Sequence, residues 1–133
     1  AQTLETAISN KTVKLDVTLY EKLANCWIAA GEFDKSIAPL QRAAELAPTG
    51  DIYVRLGEVQ VQRKDWPKAI DALKQGLAKG QLKNAPNAQL MMGVAQFNQK
   101  NYAEAATWFE RAQQSDKYRQ LATGYLEAIK AQS

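Results

Sequence analysis

Histidine is absent from all 133 residues, and with it the commonest general base and transition-metal ligand. Cysteine occurs once, as Cys26, so neither an internal disulfide nor a thiolate cluster can form. Its place beside Trp27 in an apolar stretch predicts a buried, inert thiol rather than a nucleophile. No apolar run approaches the ~20 residues needed to span a bilayer. No block of lysine and arginine exceeds a pair, and the net charge is only +3. That balance lacks the dense phosphate-contacting stripe a nucleic-acid surface requires. No glycine-rich phosphate loop follows a strand, and no strand is predicted. Carboxylate pairs such as Asp65 with Asp71 and Glu104 with Glu110 fall among lysines and arginines on helix faces, where they read as solvated surface. An enzyme is not expected, nor is a cofactor or a metal.

What the chain does contain is a repeat. The stretch Trp66 to Gly76 reads WPKAIDALKQG, with Ala69, Leu73 and Gly76 three, seven and ten residues after the aromatic. Phe33, Ser36, Leu40 and Ala43 have the same spacing, as do Tyr102, Ala105, Phe109 and Ala112. A second pattern precedes each copy: Tyr20, Leu23, Ala24 and Trp27; then Tyr53, Leu56, Gly57 and Gln60; then Gln89, Met92, Gly93 and Gln96. Ala24, Gly57 and Gly93 are separated by 33 and then 36 residues. Small residues at fixed points in two amphipathic segments let helix backbones approach closely, and large residues on either side fill the remaining gaps. Glu32, Asp65 and Asn101 sit where turn and capping residues belong, and Pro67 falls in a first helical turn, where its missing N–H costs nothing.

With 46% hydrophobic and 23% charged residues, the composition suits one compact domain. Periodicity predicts helices at 17–30, 34–47, 51–63, 67–79, 87–99 and 103–114, and a last one from Asp116 or Lys117 to Ala131. Pro48-Thr49-Gly50 is a tight break, and Lys79 to Pro86 a longer one in which Leu82 is expected to fold back onto the helices. In the last helix, Tyr118, Leu121, Ala122 and Tyr125 repeat the first-helix pattern, which predicts a closing helix with one packed and one polar face. The organisation expected is repeats at 17–49, 50–85 and 86–114, with a closing helix at 115–133. Residues 1–16 read either as a tail or as the second helix of an incomplete repeat, because Leu4, Ala7, Ile8 and Val13 match Leu73, Gly76, Leu77 and Leu82. Ala1 in place of a starting methionine adds to the expectation of a C-terminal piece of a longer protein.

These residues resemble the tetratricopeptide repeat, a helix-turn-helix unit of ~34 residues. Gln60 and Gln96 depart from it, standing where that family prefers tyrosine. The resemblance implies an all-α, right-handed superhelix whose concave face is built from the first helix of each repeat. Its facing positions fall on Thr18, Glu21, Asn25 and Ile28; Asp51, Val54, Glu58 and Val61; Asn87, Leu90, Val94 and Phe97. Family members that grip a chaperone's C-terminal carboxylate use lysine, asparagine and arginine on this face. Here those places hold Glu21, Asn25, Arg55, Asn87 and Met91, which argues against such a clamp. Ile28, Val54, Val61, Leu90, Val94 and Phe97 would instead form an apolar strip. It reads either as a groove for an apolar peptide or partner helix, or as surface covered by the closing helix or the N-terminal segment. Asn25, Arg55, Glu58 and Asn87 form a more polar edge beside it.

The strings Gln62-Arg63-Lys64-Asp65-Trp66, Gly80-Gln81-Leu82-Lys83-Asn84 and Asp116-Lys117-Tyr118-Arg119 resemble the C-terminal repeats of bacterial tetratricopeptide proteins associated with TonB energy-transduction systems. That resemblance implies a periplasmic docking arm for a membrane complex, with a protein or peptide partner and no membrane insertion of its own. A cytoplasmic interaction scaffold is the alternative location. Pentatricopeptide RNA binders share the helix-pair architecture, but they carry strongly basic surfaces, and the mild charge here disfavours an RNA-binding module.

Overall fold

The computed structural model describes residues 4–132, with side chains described from Lys14 onward. Seven α-helices and no strand occur among the described residues: α1 (Leu4–Ala29), α2 (Phe33–Leu46), α3 (Asp51–Gln62), α4 (Trp66–Lys79), α5 (Ala85–Asn98), α6 (Tyr102–Ala112) and α7 (Arg119–Gln132). Local chemistry sets the boundaries. Asp65 and Asn84 cap α4 and α5, accepting from the N–H groups of Lys68 at 3.4 Å and Asn87 at 3.3 Å. Pro67 and Pro86 lie in the first turns of those helices. The turn inside each repeat passes through the left-handed region, at Gly31 (φ 78°), Lys64 (φ 61°) and Lys100 (φ 64°). Gly31 adopts this conformation without the Cβ penalty that the two lysines bear.

Helices pair as α1 with α2, α3 with α4 and α5 with α6, and the pairs join through α2–α3 and α4–α5. The small residues act as the spacing predicts. A Cβ on Gly57 would lie 2.7 Å from Leu73 Cγ, and one on Gly93 would lie 2.6 Å from Phe109 Cε1. Ala24, Ser36, Ala69 and Ala105 complete these contacts and are fully buried. Ser36 satisfies its hydroxyl by donating to the Phe33 carbonyl at 2.7 Å. Gln60 and Gln96 are buried too, and each side-chain oxygen accepts a hydrogen bond, from Arg63 at 2.9 Å and from Asn101 at 3.0 Å. Both amides therefore tie a first helix to the turn or cap that follows it. Leu82 folds back against Val54, Leu73, Ala88 and Met92, as expected.

The structure corrects the sequence reading at three points. Residues 4–16 form neither a tail nor a separate helix, because α1 runs unbroken from Leu4 to Ala29. No proline, glycine or turn pair interrupts that stretch, so helical hydrogen bonding propagates through it. The packing of Leu4, Ala7, Ile8 and Val13 lies outside the described side chains. Cys26 is exposed rather than buried, because it shares the outward face of α1 while Ala24 points to α2. Leu121 of α7 is 53% exposed, and α7 instead turns Ala122, Tyr125, Leu126 and Ile129 toward α5 and α6, with Tyr118 in the turn just before it.

Candidate partner-binding groove

The first helices α1, α3 and α5 are linked side by side by polar contacts. Glu21 of α1 lies 3.8 Å from Arg55 of α3, and Glu58, one turn along α3, accepts from Asn87 of α5 at 3.0 Å. Glu21, Arg55, Glu58 and Asn87 thus make a ladder running across three helices. Its members are partly exposed, and exposed ion pairs contribute at most about 1 kcal/mol each. The ladder therefore matters more for the hydrogen-bonding surface it presents than for stability. Asn25 is exposed one turn beyond Glu21.

The apolar strip is not an open groove. Val54 and Leu90 retain only 8% and 6% of their exposure, Val54 against Leu73, Ala88 and Met92, and Leu90 against Ala105, Phe109 and Ala122. Val94 and Phe97 are half-buried against the same interior as α7. Phe97 meets Tyr102 and Tyr125 edge-on with ring centroids 5.5 Å apart in both pairs, and Tyr125 stacks on Phe109 at 4.6 Å. The closing helix therefore covers the α5 end of the strip, because the rings of Phe97, Phe109 and Tyr125 gain more from mutual burial than from water. Ile28 packs on the interior of the first repeat, and Val61 is half-buried.

An open cleft of about 780 Å³ does exist, at the other end of the ladder. Val17, Leu46 and Ile52 give it an apolar floor, and Lys14, Glu21, Asp51 and Lys83 a rim of both charges. Asp51 builds one wall, its carboxylate accepting from the Lys83 N–H at 3.0 Å and the Thr49 hydroxyl at 3.3 Å. The Gly50 N–H donates to the Gly80 carbonyl at 2.9 Å, fixing the same two loops together. Thr18, Glu21 and Asp51 stood among the concave positions read from sequence. Lys14, Leu46 and Lys83 did not, since they come from the N-terminal part of α1, the end of α2 and the α4–α5 loop, which no single-repeat pattern connects. Away from the cleft, Arg42 is held more firmly protonated than usual, first by hydrogen bonding to Tyr20 and then by Glu45. Among the described residues no group of three or more acidic, histidine or cysteine side chains could hold a metal, and no helix is long and apolar enough to cross a membrane.

The sequence of residues 54–120 matches the model of the tetratricopeptide repeat, half of the chain. The chain belongs to the tetratricopeptide repeat family. No curated protein matches the sequence. Solved structures resemble this tetratricopeptide protein in fold despite low identity. The tetratricopeptide domain of Arabidopsis OM64 aligns with a TM-score of 0.78 at 15% identity, covering 91% of this chain and 99% of that one. The second such domain of human RPAP3, solved in complex with the HSP70 peptide SGPTIEEVD, gives 0.77 at 14% identity over 89% and 98%. The TPR2B domain of yeast Sti1, in a complex with pHsp70, gives 0.77 at 14% identity over 90% and 99%. At such identities the shared property is the all-α helical-repeat fold.

Proposed function

We propose that this protein is a non-catalytic interaction scaffold that holds a peptide or partner helix along the polar ladder, with one apolar side chain seated in the cleft beside Glu21. The observation that carries this reading is the cleft itself: an apolar floor ringed by two lysines and two carboxylates, opening beside hydrogen-bonding groups. Pockets of this size, mostly apolar with a few fixed polar groups, are the usual form of ligand sites. Peptide complexes of the similar RPAP3 and Sti1 domains support a peptide as the class of partner. The chemistry recognised differs from a carboxylate clamp, because Arg55 is shared with Glu21 and Met91 is packed against the interior. A peptide with an apolar anchor and charges of both signs fits better than an acidic terminus.

The test is selection of peptides from a displayed random library, followed by affinity measurement on variants. Thr18→Trp fills the cleft from an exposed position, and Lys83→Glu reverses one rim charge. Each should weaken binding at least about tenfold, the effect of losing an interaction worth about 1.4 kcal/mol, with an unchanged melting temperature. Selected peptides that bind both variants as tightly as the parent chain would place the site elsewhere.

The narrower resemblance of residues 62–66, 80–84 and 116–119 supports a finer proposal. The partner belongs to a TonB-type envelope complex, and the protein works in the periplasm. Saturable binding to the purified periplasmic domains of such a complex is the expected result, and its absence counts against this assignment. No feature of the groove favours RNA.

A further inference from the structure

The outward face of α1 carries an apolar stripe, Leu15, Leu19, Leu23 and Cys26, spaced by four, four and three residues along one side of the helix. Leu15, Leu19 and Leu23 are 56%, 63% and 48% exposed, and Cys26 is exposed with them. The internal repeat shows what this face is for. Leu19, Leu23 and Cys26 occupy the register of Ile52, Leu56 and Val59 in α3, which are 8%, 4% and 3% exposed beneath Ala43, Ala44 and Ala47 of α2. In α5 the same register holds Ala88, Met92 and Ala95, all fully buried at the α4–α5 junction. Twice in this chain, then, the stripe is covered by a preceding second helix running antiparallel to it.

By sequence, residues 4–16 are that second helix for α1: Leu4, Ala7 and Ile8 stand in register with Leu73, Gly76 and Leu77 of α4. Yet they do not turn back, because α1 is one unbroken helix from Leu4 to Ala29. The half of α1 with covering character is thereby carried along the axis, away from the half that needs cover. Two such helices set antiparallel satisfy both halves at once, the N-terminal half of each lying on the stripe of the other. One two-fold axis near the middle of α1 generates both contacts, the closed symmetry that homodimers favour and the exchange that characterises domain swapping.

We infer that α1 is a homodimerisation helix, in which residues 4–16 of one copy serve as the covering second helix on Leu19, Leu23 and Cys26 of a second copy. The interaction lies on the face of α1 opposite its contact with α2, and Lys14 alone belongs both to the covering segment and to the rim of the proposed groove.

Two measurements test it. Light scattering on the chain should give a dimer, and Leu19→Glu combined with Leu23→Glu should give a monomer with unchanged helicity, since both leucines are exposed within one copy. Separately, single cysteines replace Glu5, Ala7 and Ile8 in turn, bracketing one helical turn of register against the native Cys26. Within one straight helix these positions lie at least about 27 Å from Cys26, far beyond disulfide reach. At least one variant should therefore oxidise to a covalent dimer, while the parent chain and the matching Cys26→Ser variants do not. A parent chain that is monomeric at its highest attainable concentration overturns the inference. So does a dimer that survives the double glutamate substitution. An intramolecular disulfide in monomers overturns it as well, and would show residues 4–16 folded back onto their own stripe.

Discussion

At the residue scale, steric room decides more than polarity does. Gly50 caps α3 at an ordinary negative φ, so its conformation alone would admit any residue. A Cβ there would collide with the backbone carbonyl oxygen of Gly76 and come within 2.8 Å of the carbonyl carbon. A Cβ on Gly57 would press closely on the Leu73 side chain, which can shift a little, and meet the Ala69 carbonyl oxygen only at an ordinary 3.6 Å. Gly50→Ala is therefore expected to cost about 3 kcal/mol and Gly57→Ala about 1–2 kcal/mol, as overpacking does. Urea denaturation of the two variants checks the order, and equal losses would show that the α3–α4 approach is looser than described. Lys100 gives the opposite case. Its φ of 64° costs an L-residue about 1–2 kcal/mol, while glycine costs roughly 0.5–1 kcal/mol in unfolded-state freedom. Lys100→Gly should raise stability by about 0.5 kcal/mol, read from the same denaturation curves.

At the element scale, α7 is the part whose orientation matters most. It carries a first-helix sequence pattern but packs through Ala122, Tyr125, Leu126 and Ile129, together with Tyr118 of the preceding turn. No second helix follows within the described residues to fix the usual register, and the stacked pair Tyr125–Phe109 sets another. Tyr125→Asp removes that stack and places a carboxylate against Phe97 and Phe109, which should cost on the order of 3–5 kcal/mol and detach the helix. Leu121→Asp, at a position 53% exposed, should change the melting temperature by little. Comparing the two melting curves tests the rotation of α7; equal destabilisation would restore the register that the sequence pattern implies.

The whole molecule is a row of neighbours. The interior divides into three groups: one from α1 through α4, a second bridging α3, α4 and α5, and a third closed by α7. Contacts of this kind run only between adjacent units, so stability is nearly a sum along the row. Phe97→Ala should then act as a local core lesion, costing about 3 kcal/mol through the lost contacts with Tyr102 and Tyr125. Native-state hydrogen exchange should show faster opening of α5, α6 and α7, with protection of α1 to α3 retained. Uniform loss of protection along the chain would mean that the row unfolds as one cooperative block.

Spacing alone carried the helices, the pairing order and the small-residue contacts at Ala24, Gly57 and Gly93, because each depends on residues within one repeat. It also placed Arg55, Glu58 and Asn87 near one another on two first helices; in the structure their neighbour on α1 is Glu21, while Asn25, the fourth residue of the expected edge, is exposed beyond it. What spacing could not carry were relations between surfaces distant in the chain. Whether Val54, Leu90 and Phe97 line an open groove or lie covered stayed open in the sequence; neighbouring helices bury the first two, and Tyr125, 28 residues downstream, packs on Phe97. The cleft joins Lys14, Leu46 and Lys83, which no local pattern relates. Leu4, Ala7 and Ile8 bear the residues of a second helix, but whether that segment turns back is a property of the backbone. The sequence holds no proline or glycine to stop a helix between Leu4 and Ala29, yet its repeat register equally allows a turn there, and the tertiary structure alone shows that the helix continues.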